Sequence, residues 1–146
     1  MSDGIKEILV PVDGSENAVR AARFGADLAE QTGAGLRFFY VFPAASVEVI
    51  GMVGMSREDI DQAAQAAAQR AFDSIHEALG DGFPADAEEE TSIGDPAEEI
   101  IRYTEDDPGV MVVIGRRGLS TVRSLLLGSV SDKVSRHARS PILLIT

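Results

Sequence analysis

Three glycines with a distinctive spacing stand together with hydroxyl and guanidinium side chains near the end of the chain. Two residues separate Gly115 from Gly118, and nine separate Gly118 from Gly128, which Ser129 follows directly. Glycine has no Cβ atom and can adopt a positive φ, so it lets main-chain N–H groups come close to a ligand. A Gly-Ser pair that opens a helix adds free N–H groups and the positive end of the helix dipole. The combination predicts a binding site for phosphate groups.

Several side chains around these glycines suit an anion. Those that could reach a phosphate belong to Arg116, Arg117, Ser120, Ser129 and Ser131. The alternative reading is structural: the glycines would only form turns, and Ser129 would cap the helix together with Asp132. Because the whole pattern follows a buried strand and lies in a basic region, the phosphate site is the stronger prediction.

The charge of the chain is distributed unevenly. The net charge is −11, yet residues 111–146 carry six cationic side chains and one acid, a net of +5, which leaves −16 for the first 110 residues. A basic segment in an acidic protein favours contact with an anion, unless its arginines pair with acids elsewhere on the surface. The acidic balance and the scarcity of aromatic residues argue against nucleic-acid binding.

Lysine is rare in this chain. Only Lys6 and Lys133 are lysines among the 13 positively charged residues. An acidic, lysine-poor surface suits a salt-rich cytoplasm, where charge repulsion is screened. The composition therefore predicts a halophile-like protein whose stability increases with salt.

Other classes of protein are excluded by simple features. The chain has no cysteine, so disulfides, thiolate chemistry and zinc–cysteine sites are ruled out. No apolar stretch reaches the roughly 18 to 20 residues that span a bilayer. The first residues lack the basic and apolar regions of a signal peptide, so we expect a cytoplasmic location and no membrane partner.

Strand-like and helix-like patterns alternate along the chain. Apolar, β-branched runs predict strands at residues 5–12, 36–42, 85–93, 110–114 and 141–146. Apolar spacing and caps predict helices at residues 16–32, 57–79, 96–105 and 129–138. Residues 43–55 have no clear period and are predicted to form a mobile connection, a flap. Because crossover helices make the strands parallel, we expect one α/β domain over residues 1–146, an open sandwich around a five-stranded sheet.

The sheet indicates where a ligand would bind. In open α/β sheets, ligands lie beyond the carboxyl ends of the strands, where the strand order reverses. Gly115 leaves the fourth predicted strand at that edge, and Asp13 leaves the first. Asp13 either contacts the ligand or caps the following helix, and the residue types leave both roles open.

The motif Gly115-x2-Gly118-x9-Gly128-Ser129 resembles the nucleotide motif of the universal stress protein family, in its ATP-binding branch. The stretches ILVPVDGSENA and SDKVSRHARSPILLI also resemble that family's opening and closing segments. The resemblance spans essentially the whole chain. It implies a three-layer α/β/α, Rossmann-like fold of the adenine nucleotide alpha hydrolase type, with strand order 3-2-1-4-5.

The resemblance also implies roles for individual residues. It places Pro11, Val12 and Asp13 beside the adenosine, with Asp13 on the ribose, and the backbone of Val41 on adenine. It assigns the ribose and phosphate cradle to Gly115, Gly118, Gly128, Ser129, Val130 and Ser131. Arg116 and Arg117 occupy variable positions of the motif, so their predicted phosphate role depends on charge alone.

The function implied is that of an adenine nucleotide-binding regulator in stress response. ATP, ADP or AMP would be the ligand, with or without Mg²⁺, and the sequence assigns no metal ligands. The resemblance implies a homodimer through the last strand, residues 141–146, and we expect an unidentified regulatory protein as partner. A slow ATPase or phosphotransferase and a nucleotide-free dimeric scaffold are the alternatives. The chain has no G-x-x-x-x-G-K-[ST] motif and no evident general base, so a binding protein is favoured over an enzyme.

Overall fold

The computed structural model describes residues 4–118 and 127–146, which contain an open five-stranded sheet. Its strands are β1 (Glu7–Pro11), β2 (Gly35–Pro43), β3 (Glu88–Gly94), β4 (Val110–Gly115) and β5 (Ile142–Ile145). The order across the sheet is β3-β2-β1-β4-β5, and every neighbouring pair is parallel. This confirms the predicted α/β class, the parallel sheet and the strand order.

Five α-helices accompany the strands in the described residues. They are α1 (Glu16–Thr32), α2 (Ala44–Met52), α3 (Arg57–Leu79), α4 (Pro96–Asp106) and α5 (Ser129–His137). The hydroxyl of Ser15 accepts a hydrogen bond from the N–H of Ala18, 3.1 Å away, and so caps α1. Ser56 and Asp59 form a reciprocal capping box at the start of α3. Because these caps are local in sequence, both helix starts agree with the prediction.

Helix α2 corrects the prediction of a mobile connection at residues 43–55. None of its residues is buried, and Val49, Met52 and Val53 are exposed. A helix that buries no face needs no alternation of apolar and polar residues, so its sequence lacks the period from which helices are recognised. The helix therefore forms where the pattern predicts none.

Two apolar cores lie on opposite faces of the sheet. The first core packs α1 and α3 on residues such as Val10 and Phe38. The second packs α4 and α5 on residues such as Phe39 and Val112. Successive residues of a strand point to opposite faces, so Phe38 and Phe39 belong to different cores. The molecule therefore has three layers, as expected.

A cluster of charged side chains ties three strands together near their amino ends. The Arg37 guanidinium on β2 pairs with Glu7 of β1 at 3.4 Å, with Glu90 of β3 at 3.2 Å, and with Glu88. Tyr103 of α4 donates a hydrogen bond to the Glu7 carboxylate. Burial and this hydrogen bond raise the pKa of Tyr103. The acid-rich strand β3 is at the edge of the sheet, as predicted.

No helix within residues 4–118 and 127–146 combines the length and the apolar character that a membrane crossing requires.

Candidate functional site

A cleft of about 310 Å³ opens at the carboxyl ends of β1, β2 and β4. Strands β1 and β4 are neighbours at the point where the strand order reverses, which is the usual ligand site of such sheets. The starts of α4 and α5 close the cleft from the second core's side. The residues on its lining are Pro11, Val12, Asp13, Ser15, Ala18, Phe39, Tyr40, Val41, Pro43, Pro96, Ile100, Ile114, Gly115, Arg117, Gly118, Gly128, Ser129, Val130 and Ser131.

The two glycine stretches of the motif meet at one end of this cleft. The N–H of Gly128 donates a hydrogen bond to the Arg116 carbonyl, 2.8 Å away. A Cβ atom on Gly128 would lie 3.3 Å from Cα of Arg117 and 3.6 Å from the nitrogen of Gly118. The two main-chain segments are therefore in van der Waals contact, and both line the cleft.

Close packing, and not a positive φ, is the reason for glycine at positions 115 and 118. Both have ordinary φ values, whereas Gly14, just before α1, has a φ of 87°. A Cβ atom on Gly115 would lie 2.8 Å from Cβ of Asn17, and one on Gly118 would overlap Oδ2 of Asp13. The interpretation that these two glycines adopt φ > 0 is wrong. They leave room for α1 and for the Asp13 carboxylate.

Helix α5 begins at the cleft. Gly128 is its N-cap residue, and the carbonyl of Gly128 accepts the first helical hydrogen bond, from Asp132 at 2.9 Å. Ser129 is thus the first residue inside the helix, and the alternative in which Ser129 is the cap is wrong. The N–H groups of residues 129–131 precede the first helical hydrogen bond and have no partner within the helix. All three residues line the cleft.

The hydroxyl of Ser131 has a structural role. It donates a hydrogen bond of 2.7 Å to the Gly115 carbonyl, and Ser131 is only 3% exposed. This bond ties the first turn of α5 to the end of β4. The hydroxyl proton of Ser131 is therefore already used, and the main-chain N–H is the remaining donor of this residue.

The carboxylate of Asp13 lies between the start of α1 and the glycine segment. Its Oδ1 accepts a hydrogen bond from the N–H of Ser15 at 2.9 Å, and its Oδ2 faces Gly118. Because Ser15 provides the cap of α1, the alternative in which Asp13 caps that helix is wrong. Asp13 instead holds the turn that leads into the helix and presents a negative charge to the cleft.

The two cores give the cleft two different walls. Towards α4 and α5 it is apolar, formed by residues of the second core: Phe39, Val41, Ile100, Ile114 and Val130. Towards α1 lie the polar residues Asp13, Ser15 and Tyr40, beside Val12 and Ala18 of the first core. The cleft therefore suits a ligand with an apolar part and a polar part.

The structure brings together all but one of the predicted site residues that it describes. Within residues 4–118 and 127–146, the predicted residue that does not line the cleft is Arg116. Arg116 continues the pairing of β4 with β5, because its N–H bonds the Ile145 carbonyl at 2.7 Å. Ser120 lies outside the described residues.

Sequence reasoning missed eight residues of the cleft lining. They are Ser15, Ala18, Phe39, Tyr40, Pro43, Pro96, Ile100 and Ile114. Two features of the sequence could have identified some of these residues. Phe39 and Tyr40 precede Val41 in the same strand, and Pro96 and Ile100 have the i, i+4 spacing of one helix face.

Within residues 4–118 and 127–146, no group of three His, Asp or Glu side chains is arranged to hold a metal ion. Asp13 is the one carboxylate on the described cleft lining.

The chain matches the model of the universal stress protein family over residues 4–146. A universal stress protein of Thermus aquaticus, in the QAH/OAS sulfhydrylase 3′ region, is 32% identical over 143 residues, covering 96% of this chain and 98% of that protein. The solved structure of MJ0577 from Methanocaldococcus jannaschii has the same fold, with a TM-score of 0.79 and 22% identity over 97% of this chain and 95% of that one.

A universal stress protein of Archaeoglobus fulgidus has been solved in complex with dAMP. It is 25% identical, has a TM-score of 0.63, and the match covers 96% of this chain and 97% of that one. The family match extends over almost the entire sequence. The chain therefore belongs to the universal stress protein family.

Proposed function

We propose that the cleft binds an adenine nucleotide, ATP, ADP or AMP, and that the protein acts as a nucleotide-occupied regulator in stress adaptation. The observation that carries this proposal is the junction of the two glycine stretches. The Gly128 N–H bonds the Arg116 carbonyl at 2.8 Å, and residues 129–131, whose N–H groups have no partner within α5, line the cleft beside this junction. Amides at a helix N-terminus favour a phosphate through hydrogen bonds and through the helix dipole.

The rest of the cleft suits the other parts of a nucleotide. The apolar wall next to Val41 accepts a flat base, because apolar side chains lose no hydrogen bonds when a ring covers them. Arg117 lines the phosphate end and supplies positive charge there. The complex of the Archaeoglobus fulgidus protein with dAMP supports an adenine nucleotide as the ligand class.

A divalent ion in this cleft would be bound mainly by the phosphate groups of a triphosphate ligand. Mg²⁺ is commonly held by one or two carboxylates together with substrate phosphates. Asp13 is the carboxylate available for this role on the described lining. We expect Mg²⁺ to strengthen ATP binding and to leave AMP binding almost unchanged.

Two surfaces could communicate to a partner protein whether a nucleotide is bound in the cleft. Pro43 lines the cleft and is also the N-cap residue of α2, so a ligand that displaces Pro43 moves the start of an exposed apolar helix. Strand β5 is at the edge of the five-stranded sheet, and an edge strand has backbone groups that can pair with another chain. We propose that β5 pairs with a second copy to form a homodimer, and that α2 contacts a regulatory protein.

Calorimetric titration with AMP and ATP, with and without Mg²⁺, tests the proposal. In Gly128→Val, the added side chain would begin 3.3 Å from Cα of Arg117 and fill the junction, so we expect affinity to fall by at least about tenfold. Gly82→Val is the matched control, because a Cβ atom there meets nothing within 4 Å. If the wild-type protein binds neither nucleotide, or Gly128→Val binds as well as the control, the proposal is wrong.

A further inference from the structure

The polar wall of the cleft contains a phenol that the glycine motif does not include. Tyr40 of β2 lines the cleft and is half-buried. It packs against the first core, whereas its neighbours Phe39 and Val41 belong to the second. The alternation along β2 therefore turns the Tyr40 ring away from the apolar wall and towards the side of α1.

Strand pairing brings Tyr40 next to the end of β1. Pro11 is level with Phe39 in the parallel register, and the N–H of Val12 donates to the Phe39 carbonyl at 2.9 Å. One residue further along the chain from this pair are Val12 and Tyr40. Strand β1 ends at Pro11, so Asp13 follows in the turn that leads to α1. Asp13 and Tyr40 both line the cleft on this side, and the Asp13 charge acts on the Tyr40 phenol.

The state of the Tyr40 hydroxyl suits recognition of a ligand hydroxyl. Burial raises the pKa of Tyr40, Arg70 of α3 acts in the opposite direction, and the Asp13 charge raises it further. The phenol is thus protonated at neutral pH and able to donate. No group of residues 4–118 and 127–146 is hydrogen-bonded to it, so these residues leave its donor and acceptor capacity unused.

We infer that Tyr40 is a specificity residue that recognises a ribose hydroxyl of the bound nucleotide, on the wall it shares with Asp13. This inference depends on the proposed function of the cleft. With the base on the apolar wall and the phosphates at the start of α5, the sugar lies between them, against the polar wall. There the phenol distinguishes a ribonucleotide from a deoxynucleotide that lacks the recognised hydroxyl.

The test compares AMP with 2′-deoxy-AMP and 3′-deoxy-AMP on wild type and Tyr40→Phe. This variant removes one oxygen atom and retains the packed ring. We expect it to weaken AMP binding about 3- to 10-fold, the usual effect of one hydrogen bond, and to leave at least one deoxynucleotide unaffected. An equal loss with all three ligands, or no loss with AMP, would overturn the inference.

Tyr103→Phe is the control. Tyr103 is the other tyrosine of the chain; it packs on Phe39, with 5.6 Å between ring centroids, and does not line the cleft. This variant should retain the wild-type ratio of AMP to deoxynucleotide affinity. Failure of the proposed function is distinguishable from failure of this inference, because in the first case the wild-type protein binds none of the three ligands. If only this inference fails, the wild-type protein binds AMP, and Tyr40→Phe has the same ratio of AMP to deoxynucleotide affinity as wild type.

Discussion

Gly118→Ala gives a test of the packing at the glycine segment, because the new methyl group meets a single side chain. Within the described residues, the atoms within 4 Å of a Cβ on Gly118 are Oδ2 of Asp13, which it would overlap, and Cγ of Asp13 at 3.5 Å. The carboxylate must therefore move. Its Oδ1 accepts the N–H of Ser15 at 2.9 Å, so the movement breaks or lengthens this bond.

The expected magnitude follows from two opposing contributions. Loss of a main-chain hydrogen bond to a carboxylate costs about 1.5 to 2 kcal/mol of the free energy of unfolding. Replacing glycine by alanine at an ordinary φ stabilises a protein by about 0.4 to 1 kcal/mol, because the unfolded chain has less conformational freedom. The net loss is about 1 kcal/mol, which for a chain of this size lowers Tm by roughly 2 to 4 °C.

The decisive measurement repeats the substitution in an Asp13→Ala background. With the carboxylate removed, the methyl group of Gly118→Ala meets no described side chain, so the same change should become neutral or stabilising. Gly82→Ala, at a position with open space and an ordinary φ, measures the contribution of the unfolded state alone. If Gly118→Ala lowers Tm equally in both backgrounds, Asp13 is not the group it displaces, and the packing argument is refuted.

Three further predictions concern stability. Ser131→Ala removes the buried hydrogen bond to the Gly115 carbonyl and should lower the free energy of unfolding, measured by urea denaturation, by about 1 kcal/mol. Ser135→Ala, on the exposed side of the same helix, should leave it almost unchanged. Equal effects of the two variants would contradict the structural role of Ser131. Hydrogen bonds from the backbone and hydroxyl of Ser56 hold the pKa of Asp59 below its ordinary 3.8. A group whose folded-state pKa is lowered stabilises the folded protein above its unfolded pKa, and this contribution is lost as pH falls through the folded value. The Tm advantage of wild type over Asp59→Asn should therefore be present at neutral pH and shrink as pH falls below 3.8. An advantage independent of pH would refute this. With a net charge of −11, the protein should show a urea midpoint that rises from about 0.1 M to about 1 M KCl, and a midpoint independent of salt would rule out the halophile-like interpretation.

The fold was largely predictable because its signals are local. The apolar runs at residues 5–12 and 110–114 predict strands, and β1 and β4 form there since both are covered on two faces. Ser15 and Ser56 predict helix starts through bonds that reach only three residues along the chain. Helix α2 was not predictable in this way, because a helix without a buried face leaves no period in the sequence.

The candidate site was predictable only in part. Gly115, Gly118 and Gly128 are recognisable from their spacing, yet their local conformation depends on neighbours such as Asn17 that the spacing does not reveal. Tyr40 reaches the cleft only because β2 pairs with β1, a contact between distant parts of the chain. The assignment of the lining residues to a nucleotide stays a prediction.

The two tyrosines of this tryptophan-free chain lie in very different surroundings, Tyr40 at the cleft and Tyr103 packed between β2 and α4. In Tyr103→Phe, the phenol at the cleft becomes the single long-wavelength emitter of the protein. A ligand that contacts this phenol is then expected to change the intrinsic fluorescence of the protein. The chain therefore contains its own optical reporter of occupancy, and mixtures of metabolites can be screened without attaching a dye.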